Sequence, residues 1–143
     1  MPPDFKPVTL KERDSTKKQF VVGYLAYTVV LKGLQYLLEA WQEIVKDGAN
    51  AHLELQIGGG MDAQTRAYVE RHYSAIKQVT FLGHIPDVRG FFEQLDLFVV
   101  PSLIDGAPVT ALEAAHYEVP VLITDNSGSA ELLNRGTSGC MVI

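Results

Sequence analysis

The chain has 143 residues, 47% of them hydrophobic and 20% charged, which fits one folded domain and excludes an intrinsically disordered chain. Its formal net charge of −5 argues against a nucleic-acid partner, because proteins that bind phosphate backbones usually carry a basic face. The single cysteine excludes a disulfide within the chain, and no stretch reaches the roughly 18 apolar residues that a membrane-spanning helix needs.

Residues 1–18 are polar, contain three prolines and show no periodicity, so they are predicted to form a tail or interdomain linker. The sequence then alternates between apolar runs typical of buried strands and amphipathic stretches typical of helices. Strands are predicted at 20–26, 52–57, 79–83, 96–100, 119–125 and 140–143. Helices are predicted at 31–46, 62–76, 87–95, 109–117 and 129–134.

This alternation predicts the α/β class: a three-layer, Rossmann-like, doubly wound parallel sheet of about six strands in a domain covering residues 19–143. In such sheets ligands bind beyond the carboxyl ends of the strands, near the switch point. The segments after the predicted strand ends are rich in Gly, Pro, Ser and Asp. A functional site is therefore expected among them.

Two of these segments carry weak signals when each is taken alone. Gly58, Gly59 and Gly60 follow a strand, but they complete neither a dinucleotide fingerprint nor a Walker loop, so a plain tight turn and close approach to a ligand both stay open. Lys32, followed by Gly33, lies near the start of the first long helix. It is either a solvated lysine or a cation that joins the helix-end amides in holding a phosphate.

The segment PSLIDGAPVTALEAA, residues 101–115, carries two acids. Asp105 suits a helix cap or an Asx-turn with Gly106, Pro108 suits the first helical position, and Glu113 lies about one turn into the helix. The simplest interpretation is a cap and one solvated glutamate. The alternative is a ligand site at the helix start.

The four histidines show no metal-ligand spacing and there is no second cysteine, so no metal site is expected. A G-x-S-x-G elbow or a Cys-His constellation is also missing from the sequence. Hydrolysis by a protein nucleophile therefore has no support.

Taken in order, six segments resemble the C-terminal domain of GT-B glycosyltransferases, in particular the retaining family-4 type, or glycosyl transferases group 1. They are VVGYLA, LKGLQYLLEAW, LELQIGGG, VTFLGHIPDVRGFFEQLDLFVVPS, DGAPVTALEAA and VPVLITDNSGSAELLNRGTSG. The resemblance covers residues 4–143, and its most specific part is PS-x-x-[DE]-G followed by L-E-A. It implies transfer of a hexosyl group from a UDP- or GDP-type nucleoside-diphosphate sugar to an acceptor glycan, lipid or small molecule, with no cofactor.

The same resemblance implies roles for individual residues. Glu113 would accept hydrogen bonds from the ribose hydroxyls, Asp105 would contact hydroxyls of the transferred sugar, and Lys32 would neutralise the diphosphate. The remaining nucleotide-sugar-binding positions would be Gly58, Gly59, Gly83, His84, Ile85, Ser102, Gly106, Ala107 and Val109.

The sequence departs from the family pattern at two places. The family usually has an arginine a few residues before the lysine, where this chain offers Tyr24 or Tyr27. The family's G-F-G is here Gly106-Ala107-Pro108, and Pro108 lacks an amide donor. Both changes are expected to weaken the hold on a diphosphate.

The resemblance also implies that the acceptor-binding N-terminal domain and a closing C-terminal helix are absent from this chain. We therefore expect a cytoplasmic or membrane-peripheral enzyme whose donor half binds nucleotide without turnover. Self-association through the exposed interdomain face and a monomeric state both stay open. The main alternative is a catalytically inactive binding domain derived from the same fold. The spacing of Asp105 and Glu113 argues against a GT-B epimerase. The lack of an acidic cluster after the first strand argues against a flavodoxin-like or receiver domain.

Overall fold

The computed structural model describes residue 14 and residues 16–105, 109–130 and 140–143. The strands are β1 (Phe20–Leu25), β2 (Leu53–Gly58), β3 (Val79–Gly83), β4 (Leu97–Val100), β5 (Val121–Ile123) and β6 (Cys140–Val142). The α-helices are α1 (Leu34–Val45), α2 (Ala63–Tyr73), α3 (Val88–Glu93) and α4 (Val109–His116). A 3-10 turn at Val30–Lys32 precedes α1.

The six strands form one parallel sheet in the order β3-β2-β1-β4-β5-β6. The chain winds outward from β1 to β3, returns to place β4 beside β1, and then winds outward again. This order confirms the predicted doubly wound α/β sheet and puts its switch point between β1 and β4.

Apolar side chains pack against both faces of the sheet. On one face, Phe92 and Phe98 are fully buried with the alanines of α4. On the other face, Leu34 and Trp41 of α1 pack on β1 and β2. Neighbouring β1 residues point to opposite faces and join different clusters, which is why the strand reads as a continuous apolar run.

The first long helix begins later than predicted. Gly33 adopts the left-handed conformation, with φ of 74°, and ends the 3-10 turn, so α1 starts at Leu34 and not within the turn. The predicted helix start at residue 31 is therefore wrong, and Lys32 lies at the end of the 3-10 turn that precedes α1. Asp62 does cap α2 as predicted, because its Oδ1 atom accepts from Thr65 N at 2.8 Å.

Two further predictions fall partly beyond the described residues. Residues 128–130 are helical, but the remainder of the predicted 129–134 helix lies outside the described ranges. Residues 1–13 of the predicted tail also lie outside them. Near the end of that tail, Lys17 Nζ donates to Asp96 Oδ2 at 2.8 Å and to Gln94 O at 2.6 Å. In the part of the chain that the structure describes, no helix combines the length and apolar character that crossing a membrane requires.

Candidate functional site

A cleft of about 280 Å³ opens at the carboxyl edge of the sheet, at the switch point between β1 and β4. Strand residues form its floor, the loops after β1 and β4 form its sides, and the first residues of α4 close one end. The lining residues are Tyr24, Leu25, Ala26, Tyr27, Lys32, Val99, Val100, Ser102, Asp105, Val109 and Thr110. The cleft therefore lies where a doubly wound sheet is expected to bind its ligand.

An ion pair joins the two sides of the cleft. Lys32 Nζ lies 2.5 Å from Asp105 Oδ2, with the lysine side chain 31% exposed and the aspartate side chain 11% exposed. Lys32 is the one basic side chain among the described residues that line the cleft. Lys32 is thus paired across the cleft while remaining partly exposed to solvent, and Asp105 has a charged partner 73 residues away in sequence.

Close backbone contacts hold the loops on either side of this ion pair. A side chain at Gly33 would overlap the carbonyl group of Pro101, so only glycine allows this approach. Leu103 N donates to Leu31 O at 2.8 Å, which adds a second contact between the same loops. Lys32 thus stands between two points at which its loop is attached to the loop after β4.

The backbone of Asp105 is also held from the side of β5. Asp105 pairs with Ser127 in an isolated parallel bridge, and Gly128 N donates to Asp105 O at 2.8 Å. Nearby, Thr124 Oγ1 donates to Ser102 O at 2.6 Å. The backbone of Asp105 is therefore held by contacts that do not involve any ligand.

Tyr24 lies in the floor of the cleft and is only 2% exposed. Its hydroxyl forms a hydrogen bond of 2.9 Å with Thr28 Oγ1. Burial raises the pKa of Tyr24 to about 12, against an opposing effect of the Thr28 hydrogen bond and with a smaller contribution from the charge of Asp105. Tyr27, the other candidate for the arginine position, also lines the cleft but is 65% exposed.

Replacing Tyr24 with phenylalanine should flatten the loss of stability at high pH. Folded Tyr24 keeps its proton up to about pH 12, whereas an unfolded tyrosine loses it near pH 10. The free energy of unfolding should therefore fall by about 2 to 3 kcal/mol as pH rises through this window, a contribution that phenylalanine removes. Urea unfolding at several pH values measures the slope.

The control for this prediction is Tyr27→Phe, which also removes a tyrosine hydroxyl, but from an exposed ring three residues further along the chain. This variant is expected to keep the wild-type dependence on pH. Equal slopes for Tyr24→Phe and the wild type would contradict the assignment of the effect to Tyr24.

Glu113 lies beside the cleft but is not among the described residues that line it. It is half-buried, and it follows Val109 and Thr110 by four and three residues along α4. Residues with this spacing share one side of a helix, so Glu113 lies on the side that faces the cleft, one turn further from its mouth. The opposite side of α4 is packed into the core through its three buried alanines.

Glycines bring the loops after β1, β2 and β3 close together. Gly59, with φ of 90°, lies against the carbonyl group of Ala26, and its N–H donates to Gly83 O at 2.7 Å. The side chain of Ile85 covers Gly58. Five of the predicted binding positions are not among the described residues that line the cleft: Gly58, Gly59, Gly83, His84 and Ile85.

The structure thus brings together some of the residues singled out in the sequence. Lys32, Ser102, Asp105 and Val109 all line the cleft. The predicted binding positions Gly106 and Ala107, with Pro108, lie outside the described residues.

Sequence reasoning did not single out Thr28 or Thr110. Thr110 could have been found from its three-residue spacing to Glu113. Thr28 carried no signal, because its contacts with Tyr24 and with Gly60 O appear only in the folded chain.

Within the described ranges, no three His, Cys, Asp or Glu side chains come close enough together to hold a metal ion. The absence of a metal from the chemistry stays a prediction.

Comparison with known proteins gives a consistent result. Residues 16–143 match the family described as glycosyl transferases group 1. The capsular polysaccharide biosynthesis glycosyltransferase CapM of Staphylococcus aureus is 29% identical over 126 residues, which is 86% of this chain and 32% of CapM. The chain thus spans about a third of the length of the curated relatives it matches.

Solved structures confirm the fold. WaaG, a glycosyltransferase involved in lipopolysaccharide biosynthesis, superimposes with a TM-score of 0.76 at 20% identity, over 89% of this chain and 34% of WaaG. HepE of Anabaena, solved in complex with UDP, superimposes with a TM-score of 0.74 at 21% identity, over 88% of this chain and 35% of HepE.

Proposed function

Since the chain belongs to the glycosyl transferases group 1 family, we propose that it is the C-terminal, donor-binding domain of a retaining, family-4-type GT-B glycosyltransferase. The enzyme would transfer a hexosyl group from a nucleoside-diphosphate sugar to an acceptor glycan, lipid or small molecule. The observation that carries this proposal is the cleft at the switch point, in which a lysine and a partly buried aspartate meet near the start of a helix. The UDP bound to HepE supports the class of donor.

Lys32 and the start of α4 are proposed to hold the diphosphate. When the glycosidic bond breaks, negative charge grows on the terminal phosphate of the leaving group. A fixed ammonium group and the amides at a helix N-terminus stabilise such charge. Lys32 lines the cleft, and so do Val109 and Thr110, the first two residues of α4.

The two acids are proposed to recognise the sugars of the donor. Asp105, inside the cleft, would accept hydrogen bonds from hydroxyls of the transferred sugar, and Glu113, one turn further along α4, would accept them from the ribose. The loop from Gly83 to Ile85 would flank the base, with Gly58 and Gly59 behind it. Transfer with retention by front-face attack would need no protein nucleophile.

Exposed apolar side chains surround the cleft and support the proposal of a partner domain. Tyr27, Leu31, Ile104 and Val109 are each at least half exposed, and all lie in the loops after β1 and β4 or at the start of α4. Apolar side chains clustered at the mouth of a site are typical of a surface that another body covers. We propose that the acceptor-binding domain packs on this face. The whole enzyme would be cytoplasmic or membrane-peripheral. Self-association of the isolated domain through the same face is the alternative.

A catalytically inactive binding domain remains the second candidate. It is favoured by the single basic side chain among the described lining residues and by its pairing with Asp105. Transfer or hydrolysis assays of the full-length gene product with a panel of nucleotide sugars separate the two candidates. Turnover above a Lys32→Met variant supports the enzyme, and nucleotide binding without turnover supports the inactive domain.

Calorimetry on the 143-residue chain tests donor binding. UDP, GDP, ADP, UDP-glucose and GDP-mannose are titrated in turn at concentrations up to the millimolar range. Saturable heat with one base series is the expected result. Absence of both heat and thermal stabilisation with every compound would remove the support for a nucleotide-sugar site.

A further inference from the structure

The proposed function needs the positive charge of Lys32 for the diphosphate, but that ammonium group is already paired with Asp105. Lys32, the one basic side chain among the described lining residues, lies 2.5 Å from a carboxylate oxygen of Asp105. A diphosphate that approaches Lys32 must therefore compete with Asp105 or share the ammonium group with it. The inference below rests on the proposed function and concerns which form of the nucleotide the cleft prefers.

Asp105 cannot easily exchange Lys32 for water. Its side chain is only 11% exposed, and its backbone is held on the β5 side by Gly128 N and by the bridge to Ser127. Removing the partner of a carboxylate in such a position raises the free energy of the protein unless another group replaces that partner. The hydroxyl of Tyr24, which also lines the cleft, forms its hydrogen bond with Thr28 Oγ1 and not with Asp105.

Lys32 is the more exposed partner of the two. Its backbone is fixed by the contacts of Gly33 and Leu31 with the loop after β4, but its side chain is 31% exposed at the end of a four-carbon stem. The ammonium group can therefore turn toward a ligand while the carboxylate stays in place. Any ligand that uses Lys32 fully must also supply hydrogen-bond donors to Asp105.

We propose that hydroxyl groups of the donor sugar supply those hydrogen bonds, so that Asp105 couples recognition of the sugar to release of Lys32 toward the diphosphate. An intact nucleotide sugar carries both the diphosphate and the hydroxyls. A free nucleoside diphosphate carries only the phosphates, and it meets a lysine that is still paired. Asp105 thus determines specificity for substrate over product, and the cleft binds the nucleotide sugar more tightly than the nucleoside diphosphate left after transfer.

The test measures dissociation constants for matched pairs, UDP with UDP-glucose and GDP with GDP-mannose, in the wild-type chain and in Asp105→Asn. Asparagine keeps the shape but removes the charge that holds Lys32. We expect Asp105→Asn to bind the free diphosphate about tenfold more tightly, the size of one charge-assisted hydrogen bond, and the preference for the sugar form to fall by at least that factor. Glu43→Gln is the matched control, because it removes a carboxylate from the exposed ion pair with Lys46, and it should leave both constants unchanged.

The outcomes separate this inference from the proposed function. If no nucleotide binds the wild-type chain, the proposed function and this inference fail together. If nucleotides bind but Asp105→Asn keeps the wild-type preference, the inference alone is overturned.

If Asp105→Asn does not fold, a measurement on the wild-type chain tests the coupling between Asp105 and Lys32 instead. The NMR signal of the Lys32 side chain, followed in lysine-labelled protein, should shift more at saturation with the nucleotide sugar than with the diphosphate. Equal shifts would overturn the inference.

Discussion

Replacing Lys32 with methionine is expected to weaken binding of nucleoside-diphosphate sugars by about 10- to 100-fold, the equivalent of one charge-assisted hydrogen bond of about 1.5 to 3 kcal/mol. Two effects add in this variant. The diphosphate loses the one cation among the described lining residues, and Asp105 is left as an unpaired, largely buried negative charge beside it. Methionine keeps much of the apolar stem, so the packing of the loop is preserved.

Calorimetry with the tightest-binding nucleotide sugar measures the loss. Lys46→Met is the control, since Lys46 directly follows α1, forms an exposed ion pair with Glu43 and is not among the described residues that line the cleft. A Lys32→Met variant that binds within twofold of the wild type would contradict the role given to this lysine. The double variant Lys32→Met with Asp105→Asn then shows how much of the loss comes from the unpaired carboxylate.

Gly33→Ala should lower the free energy of unfolding by about 3 kcal/mol, compared with about 1 kcal/mol for Gly48→Ala. Both glycines have a left-handed backbone, with φ of 74° and 76°. A new Cβ at Gly48 meets nothing within 4 Å, whereas one at Gly33 overlaps the carbonyl group of Pro101. The pair therefore separates the cost of backbone conformation from the cost of forcing two loops apart.

Urea unfolding of the two variants gives both values. In Gly33→Ala we also expect weaker nucleotide binding, because Lys32 precedes the displaced residue. Equal losses of stability in the two variants would mean that the contact between the loops after β1 and β4 contributes little to holding the cleft.

The architecture could be predicted from local sequence because each element carries its own pattern. The apolar run that became β1 and the amphipathic repeat that became α1 have different periods, and their strict alternation leaves few topologies other than a doubly wound sheet. The same argument predicted a cleft at the carboxyl edge of the sheet near the switch point, where such sheets bind ligands, and a cleft lies there.

The local conformation of the site could not be predicted in the same way. Whether α1 starts before or after Lys32 depends on the left-handed Gly33, whose backbone lies against Pro101, far away in sequence. The partner of Lys32 is 73 residues away, so the sequence offered only a choice between a solvated and a bound lysine. The burial of Tyr24 likewise depends on the packing of α1 and β2 around it.

The most direct test of the central claim is a map of the nucleotide's position on the protein. ¹H–¹⁵N NMR spectra of the 143-residue chain, titrated with UDP-glucose and with GDP-mannose, should show saturable shifts concentrated at Lys32, Asp105, Thr110 and Glu113. The groove between α1 and α2, lined by Val30, Gln64 and Tyr68, should stay unchanged. Saturable binding with its shifts in that groove, or shifts nowhere near the β1–β4 switch point, would contradict the assignment of this cleft as a nucleotide-sugar site.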